Sequence, residues 1–173
     1  MDAICLLIHA PGAPGLRWLG LGPGLRPSRG LWKLQRLLDQ HTFWAQGRSL
    51  RQLRRMLAGS AAVVSLWRGK RLVGFARASS DGVFRAVLWD VVIPDDLQGQ
   101  GLGRRMVEGL LDCPQLRSVE RVYLMTTNSA GFYQQVGFHR VSGQQLLRRL
   151  QQAPPSESPS PEPAGRSSSP GCS

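Results

Sequence analysis

Cysteine, histidine and lysine are scarce in this chain, and each scarcity narrows the chemistry open to it. The 3 cysteines, Cys5, Cys113 and Cys172, stand far apart and match no metal-ligand spacing. That predicts neither a disulfide framework nor a metal site, and it fits a reducing compartment. To act as a nucleophile Cys113 would need an activating base, which no motif supplies. His9, His41 and His139 are equally scattered, with no HExxH pairing. No apolar run approaches the ~20 residues of a membrane span. The longest early run, Ile4-Cys5-Leu6-Leu7-Ile8, is short even for a signal-peptide core and follows no basic segment. Neither membrane insertion nor secretion is predicted, and a cytoplasmic location is. Acidic residues are absent between Ala3 and Leu38, as in transit peptides, but the stretch is poor in serine.

Arginine is what the chain has instead. Lys and Arg together number 22 against 11 Asp and Glu, a formal net charge of +11, and Lys33 and Lys70 are the only lysines. Most of the excess lies between residues 31 and 150, in the part expected to fold. Such a surface attracts nucleic acid, anionic membrane or a polyanionic cofactor alike. With 173 residues and a hydrophobic share of 42%, one ordinary domain is predicted. Residues 1–14 read as a flexible N-terminal segment and 15–150 as the domain. Residues 151–173, rich in Pro and Ser without apolar periodicity, read as a disordered tail.

Along the domain, residues 15–21 are the predicted first strand. Leu31, Leu34, Leu37 and Leu38 share a helical face, with Ser28 near the start. Ser49 is an N-cap for a second helix that turns Leu50, Leu53, Met56 and Leu57 inward and Arg51, Arg54 and Arg55 outward. That arginine face suits nucleic-acid contact or plain solvation. Between the helices lie Phe43 and Trp44, for core packing or for stacking on a ligand. Strands follow at 61–67 and 71–79, joined by Arg68-Gly69-Lys70, and at 84–93 after Ser80-Asp81-Gly82, an antiparallel meander. A helix beginning within the glycines at 99–103 leads to a strand at 119–126, and a strand-helix-strand connection implies parallel pairing.

The stretch 88–108, LWDVVIPDDLQGQGLGRRMVE, organises the rest. Its helix repeats Leu102, Met106 and Leu110 on one face. The first N–H groups of a helix have no internal acceptor and carry partial positive charge, so anions bind there. Gly99, Gly101 and Gly103 would let a phosphate approach the backbone, and Arg104 with Arg105 adds charge. A P-loop would require Gly-Lys-Ser/Thr, which is missing, and Gly-x-Gly-x-Gly is not the dinucleotide fingerprint.

Gln98-Gly99-Gln100-Gly101-Leu102-Gly103 resembles the Gln/Arg-x-x-Gly-x-Gly/Ala signature of the GCN5-related N-acetyltransferase (GNAT) superfamily. Phe132-Tyr133-Gln134-Gln135-Val136-Gly137-Phe138 resembles its FYxxxGF signature. The wider run from Phe43-Trp44-Ala45 to Thr126-Thr127 is similar to the cyanobacterial and plastid branch, which includes serotonin N-acetyltransferase-like enzymes and plastid protein acetyltransferases. The resemblance implies an α/β (α+β) GNAT fold: a mixed, mostly antiparallel central sheet, splayed between the fourth and fifth strands and flanked by helices. It also implies acetyl-CoA as co-substrate, with Val91, Val92 and Ile93 along the pantetheine and Gln98, Gly99, Gln100, Gly101, Leu102, Gly103 and Arg104 around the pyrophosphate. Tyr133 would be the general acid at the thioester sulfur. Relatives carry a pantetheine-binding Asn seven residues before the Tyr. Here Thr126 holds that place, and Asn128 is a substitute candidate with a shortened helix start.

Asp90 stands out within its apolar strand, because a buried carboxylate requires a partner, a pocket or a raised pKa. It is a candidate base or ammonium site beside Phe43 and Trp44, with an ion pair to a neighbour such as Arg77 as the other reading. The function implied is transfer of an acetyl group to a primary amine by direct attack in a ternary complex. An arylalkylamine such as serotonin is the leading acceptor, and a protein lysine or N-terminus the alternative. From other classes, a basic nucleic-acid-associated module and a silent acyl-CoA sensor remain. A monomer and a homodimer are both compatible with the sequence.

Overall fold

The computed structural model describes residues 3–151, so the tail beyond residue 151 lies outside them. Five strands form one sheet in the order β1-β2-β3-β4-β5: β1 Ile4–His9, β2 Ala62–Arg68, β3 Arg71–Ser80, β4 Arg85–Val92 and β5 Arg121–Tyr123. The first four pair antiparallel, and β4 pairs β5 in parallel. This is the mixed α/β sheet expected. Six helices accompany it among the described residues: α1 Pro14–Leu19, α2 Gly30–His41, α3 Leu50–Ala58, α4 Leu102–Leu111, α5 Pro114–Arg117 and α6 Ala130–Gln135. Residues 140–151 form a separate unit with neither helix nor strand.

Two expectations at the N-terminus are corrected. The first strand is Ile4–His9, inside the segment expected to be flexible, and the residues expected as that strand form α1. The short apolar run is long enough because β1 needs only to cover β2, pairing Ile4 with Arg68 through His9 with Val63. Pro14 at the first turn and Gly20 with φ of 60° beyond the last are helix punctuation, not strand.

Strand alternation gives the sheet two buried faces. On one, Val63, Trp67, Phe75 and Val92 meet Leu16, Leu34, Leu38, Leu53 and Leu57 from α1 to α3. On the other, Val64, Leu66, Ala76 and Leu88 meet Met106, Val107 and Leu110 of α4. Each fully buried leucine of this kind contributes about 2 kcal/mol. Ser49 caps α3 as expected, accepting from the Gln52 backbone while the Gln52 side chain accepts from Ser49 N–H at 2.8 Å. Ser28 does not cap α2; its hydroxyl donates to the Arg26 carbonyl.

β5 is shorter than predicted because β4 and β5 pair only from Arg85↔Arg121 to Val87↔Tyr123. Beyond Val87 the strands diverge, and β4 runs on to Val92 with β3 as its strand partner on one side only. A bulge interrupts the β3–β4 ladder between Phe75 and Arg77, opposite Asp90, whose φ is +51°.

Candidate active site

Past the divergence, β4 delivers its residues to two places. Val91 and Ile93 turn toward the α4 face, where Leu102, Phe132, Tyr133 and Phe138 belong to the same cluster, while Val92 enters the opposite core beside Phe75. Val91, Ile93, the start of α4 and Tyr133 are thus brought together from three parts of the chain.

Pro94 leads into a short 3₁₀ turn, Asp95–Leu97, with Leu97 buried. Gly99 and Gly101 both have φ of +73°, and an added Cβ at either would meet nothing within 4 Å. Gly101 is the N-cap of α4, and no side chain caps the helix there. A left-handed glycine pair before an uncapped helix leaves room beside first-turn N–H groups that no side chain caps, a fit for phosphate oxygens. Gly103 has a different use from the one expected. A Cβ there would stand 3.1 Å from Phe132 Cζ, so this glycine seats the FY motif against α4. The side chains near the loop bond within the protein. Gln98 donates to Asp95 Oδ1 at 2.8 Å, Gln100 to the Asp96 carbonyl at 3.4 Å, and Arg104 pairs with Glu108 at 2.7 Å. Arg105 donates to the Ile4 carbonyl at 3.1 Å, tying α4 to β1.

Tyr133 packs edge-on against Phe132 and Phe138, with ring centroids 4.9 and 5.9 Å away. Burial pushes its phenol above the ordinary value, so it stays protonated at neutral pH, as a proton donor must. α6 starts only at Ala130, in keeping with the shortened start expected, and Asn128 Oδ1 accepts from Ser129 Oγ in the exposed turn before it.

Asp90 is where the expectation changes most. Its side chain is 5% exposed and both oxygens are engaged: Arg77 Nε donates to Oδ2 at 2.7 Å, Arg48 Nη1 to Oδ1 at 3.2 Å and Trp44 Nε1 to Oδ1 at 3.3 Å. The ion pair is what the structure contains, with Oδ2 on Arg77 and Oδ1 shared by Arg48 and Trp44. Arg48, missed in the sequence, lies 42 residues from Asp90, beyond any spacing rule. Trp44 and Phe43 form an edge-to-face pair at 5.0 Å and are 51% and 73% exposed, so core packing does not explain them. Arg51 and Arg55 are exposed, while Arg54 lies half-buried, 6.0 Å over the Trp18 ring. No group of three or more metal-type ligands occurs among the described residues.

The diverging parallel pair, the uncapped helix after a glycine loop and the tyrosine lie together on the α4 side of the sheet. Residues 31–138 match the acetyltransferase (GNAT) family model, and the chain belongs to that family. It is 35% identical over 113 residues to an uncharacterized N-acetyltransferase ycf52 of Pyropia yezoensis, covering 62% of this chain and 64% of that protein. A chloroplastic GCN5-related N-acetyltransferase 2 of Arabidopsis thaliana is 41% identical over 40% of this chain and 27% of its own length. A histone acetyltransferase TAP1 of Glycine max is 40% identical over 40% of this chain and 30% of its own length. The plastid branch named from the motifs is therefore represented among the relatives. The crystal structure of a putative GNAT-family acetyltransferase from Xanthomonas campestris shares the fold, with a TM-score of 0.65, 23% identity and coverage of 87% and 94%.

Proposed function

We propose that this chain is an acetyl-CoA-dependent N-acetyltransferase that modifies a primary amine by direct attack. The observation that carries the reading is the opening between β4 and β5 beside an uncapped α4, with Tyr133 in the same cluster. The co-substrate supplies an activated acetyl thioester. The α4 N-terminus with Gly99 and Gly101 would hold its pyrophosphate, and the backbone of Val91, Val92 and Ile93, free of a strand on the β5 side, would line the pantetheine arm. Tyr133 keeps a proton for the departing sulfur. Asp90 acts through others: it holds Trp44 and the bulge of β4 in place. The amine gives up its proton to water.

For the acceptor, a protein amine is favoured. Asp90 is already paired with Arg48 and Arg77 inside the protein, and the name of the soybean relative points to a protein substrate. One observation favours the second reading, an arylalkylamine such as serotonin: the exposed Phe43–Trp44 pair offers rings to stack on. CoA release measured with a lysine peptide of free N-terminus, beside serotonin, separates them by the faster acceptor. Tyr133→Phe is expected to lower kcat by about 100-fold or more, the range of a general acid, with acetyl-CoA binding retained. Unchanged turnover would remove the tyrosine from the chemistry. Binding with no transfer to either acceptor would leave an acyl-CoA sensor.

A further inference from the structure

On the α1–α3 side of the sheet a second cleft, with a volume of about 410 Å³, opens between α2 and the β2–β3 hairpin. Its cations are Lys33 and Arg36 from α2 and Lys70 and Arg71 from the hairpin, and no Asp or Glu lines it. None of the four takes part in an ion pair among the described residues, whereas Arg48, Arg77, Arg85, Arg104 and Arg121 all do. Two of the cations are fixed in place. Lys33 Nζ donates to the Lys70 carbonyl at 2.6 Å, and Arg36 stacks 4.9 Å over the Trp32 ring. Burial, then the neighbouring charges of Lys70 and Arg29, lower the Lys33 pKa. Four like charges around one cleft suit a ligand with more than one negative group.

The place of the cleft suggests what that ligand is. His41 and Pro94 line it, and they lie three residues before Trp44 and four after Asp90. A chain extends at most ~3.6 Å per residue, so the Trp44–Asp90 junction is within about 14 Å. That junction adjoins Val91–Ile93, the backbone proposed to line the pantetheine arm, so an extended acceptor with its amine there reaches the cleft three to five residues away. We infer that this cleft binds acidic side chains of a protein acceptor, three to five residues from the amine that is acetylated. This rests on the protein-acetyltransferase reading. A nucleic acid is the less suited occupant, because the charges surround one compact hollow next to the acceptor loop and do not track along a face.

The test uses the full chain, acetyl-CoA and two peptides that share one acetylatable lysine and differ only in Glu or Gln at three to five residues from it. The Glu peptide is expected to have a KM about tenfold lower with equal kcat, the size of one charge-assisted contact. That difference should shrink at about 0.5 M salt. In a folded Arg36→Glu/Lys70→Glu variant the preference should vanish while the KM for acetyl-CoA stays the same. Equal KM values in the unmodified chain, or an undiminished preference in the variant, would overturn the inference. If neither peptide is acetylated, fluorescence anisotropy of the labelled peptides decides separately. Tighter binding of the Glu peptide, lost in the variant, upholds the cleft and rejects only the transfer reading, while equal binding rejects the cleft. An oligouridylate that binds more tightly than the Glu peptide, and is lost with the same substitutions, would reassign the cleft to RNA and overturn the proposal.

Discussion

The two stretches either side of Pro94 are built in opposite ways. Before it, Asp90 is bonded inward: two guanidinium groups and an indole donate to its oxygens, at a residue whose φ is +51°. After it, Gly99 and Gly101 face open space and the first turn of α4 has no side-chain cap. Within about ten residues the chain passes from a frame whose polar groups are bonded internally to a proposed socket, a glycine loop and helix start that no side chain caps. Apolar pattern does not separate the two. The difference lies in whether partners come from the protein or must come from a ligand.

Asp90→Ala breaks the frame, leaving Arg48 and Arg77 without a counter-charge. A loss of about 3 kcal/mol in urea unfolding is expected, at the low end for a buried pair because Arg48 is partly exposed. Asp90→Asn should lose less, since Asn tolerates positive φ and still accepts hydrogen bonds. If that variant instead kept its unfolding midpoint and lost kcat, Asp90 would be a base after all. His9 extends the frame to β1. Its Nε2 meets Ser65 Oγ at 2.7 Å, and Ser65 accepts from Trp67 Nε1 at 2.9 Å. Burial lowers its pKa from 6.5 to about 4, so as pH falls the unfolded chain is protonated first. The stability His9 contributes is whole above its unfolded pKa and declines down to about pH 4, by on the order of 3 kcal/mol. A His9→Gln variant with the same pH slope as the parent would refute this. For the socket, Gly101→Val strains the turn and fills the proposed phosphate seat. Acetyl-CoA binding by calorimetry should weaken about 100-fold, two charge-assisted bonds' worth. An unchanged affinity would erase the distinction between frame and socket. The smallest effect expected is Ser49→Ala, about 1 kcal/mol from the lost cap, with little change in kcat.

The meander of β2, β3 and β4 and the start of α4 were legible because alternation, turn glycines and a helical apolar stripe all speak locally. β1 was not, since five apolar residues become a strand only when β2 lies beside them. The contrary signal was present in Pro14 and Gly20, which flank a helix. The burial of Asp90 and its bond to Arg77 could be anticipated from the pattern of one hairpin. Arg48 and Trp44 come from 42 and 46 residues away, and only the tertiary fold joins them to it. The cationic cleft escaped notice for the same reason, since Lys33 and Lys70 are 37 residues apart. β5 ended early because its length is set by where β4 turns away, a property of the pair and not of its own residues.

Gly103 makes room for the Phe132 ring, with Tyr133 next in the chain. Recombination between relatives would feel this at once. A crossover anywhere between residues 103 and 132 that brings in a bulkier residue at the first or a differently shaped ring at the second would wedge α6 off α4. The glycine loop and the tyrosine therefore behave as one heritable piece, and a working chimera would have to move them together.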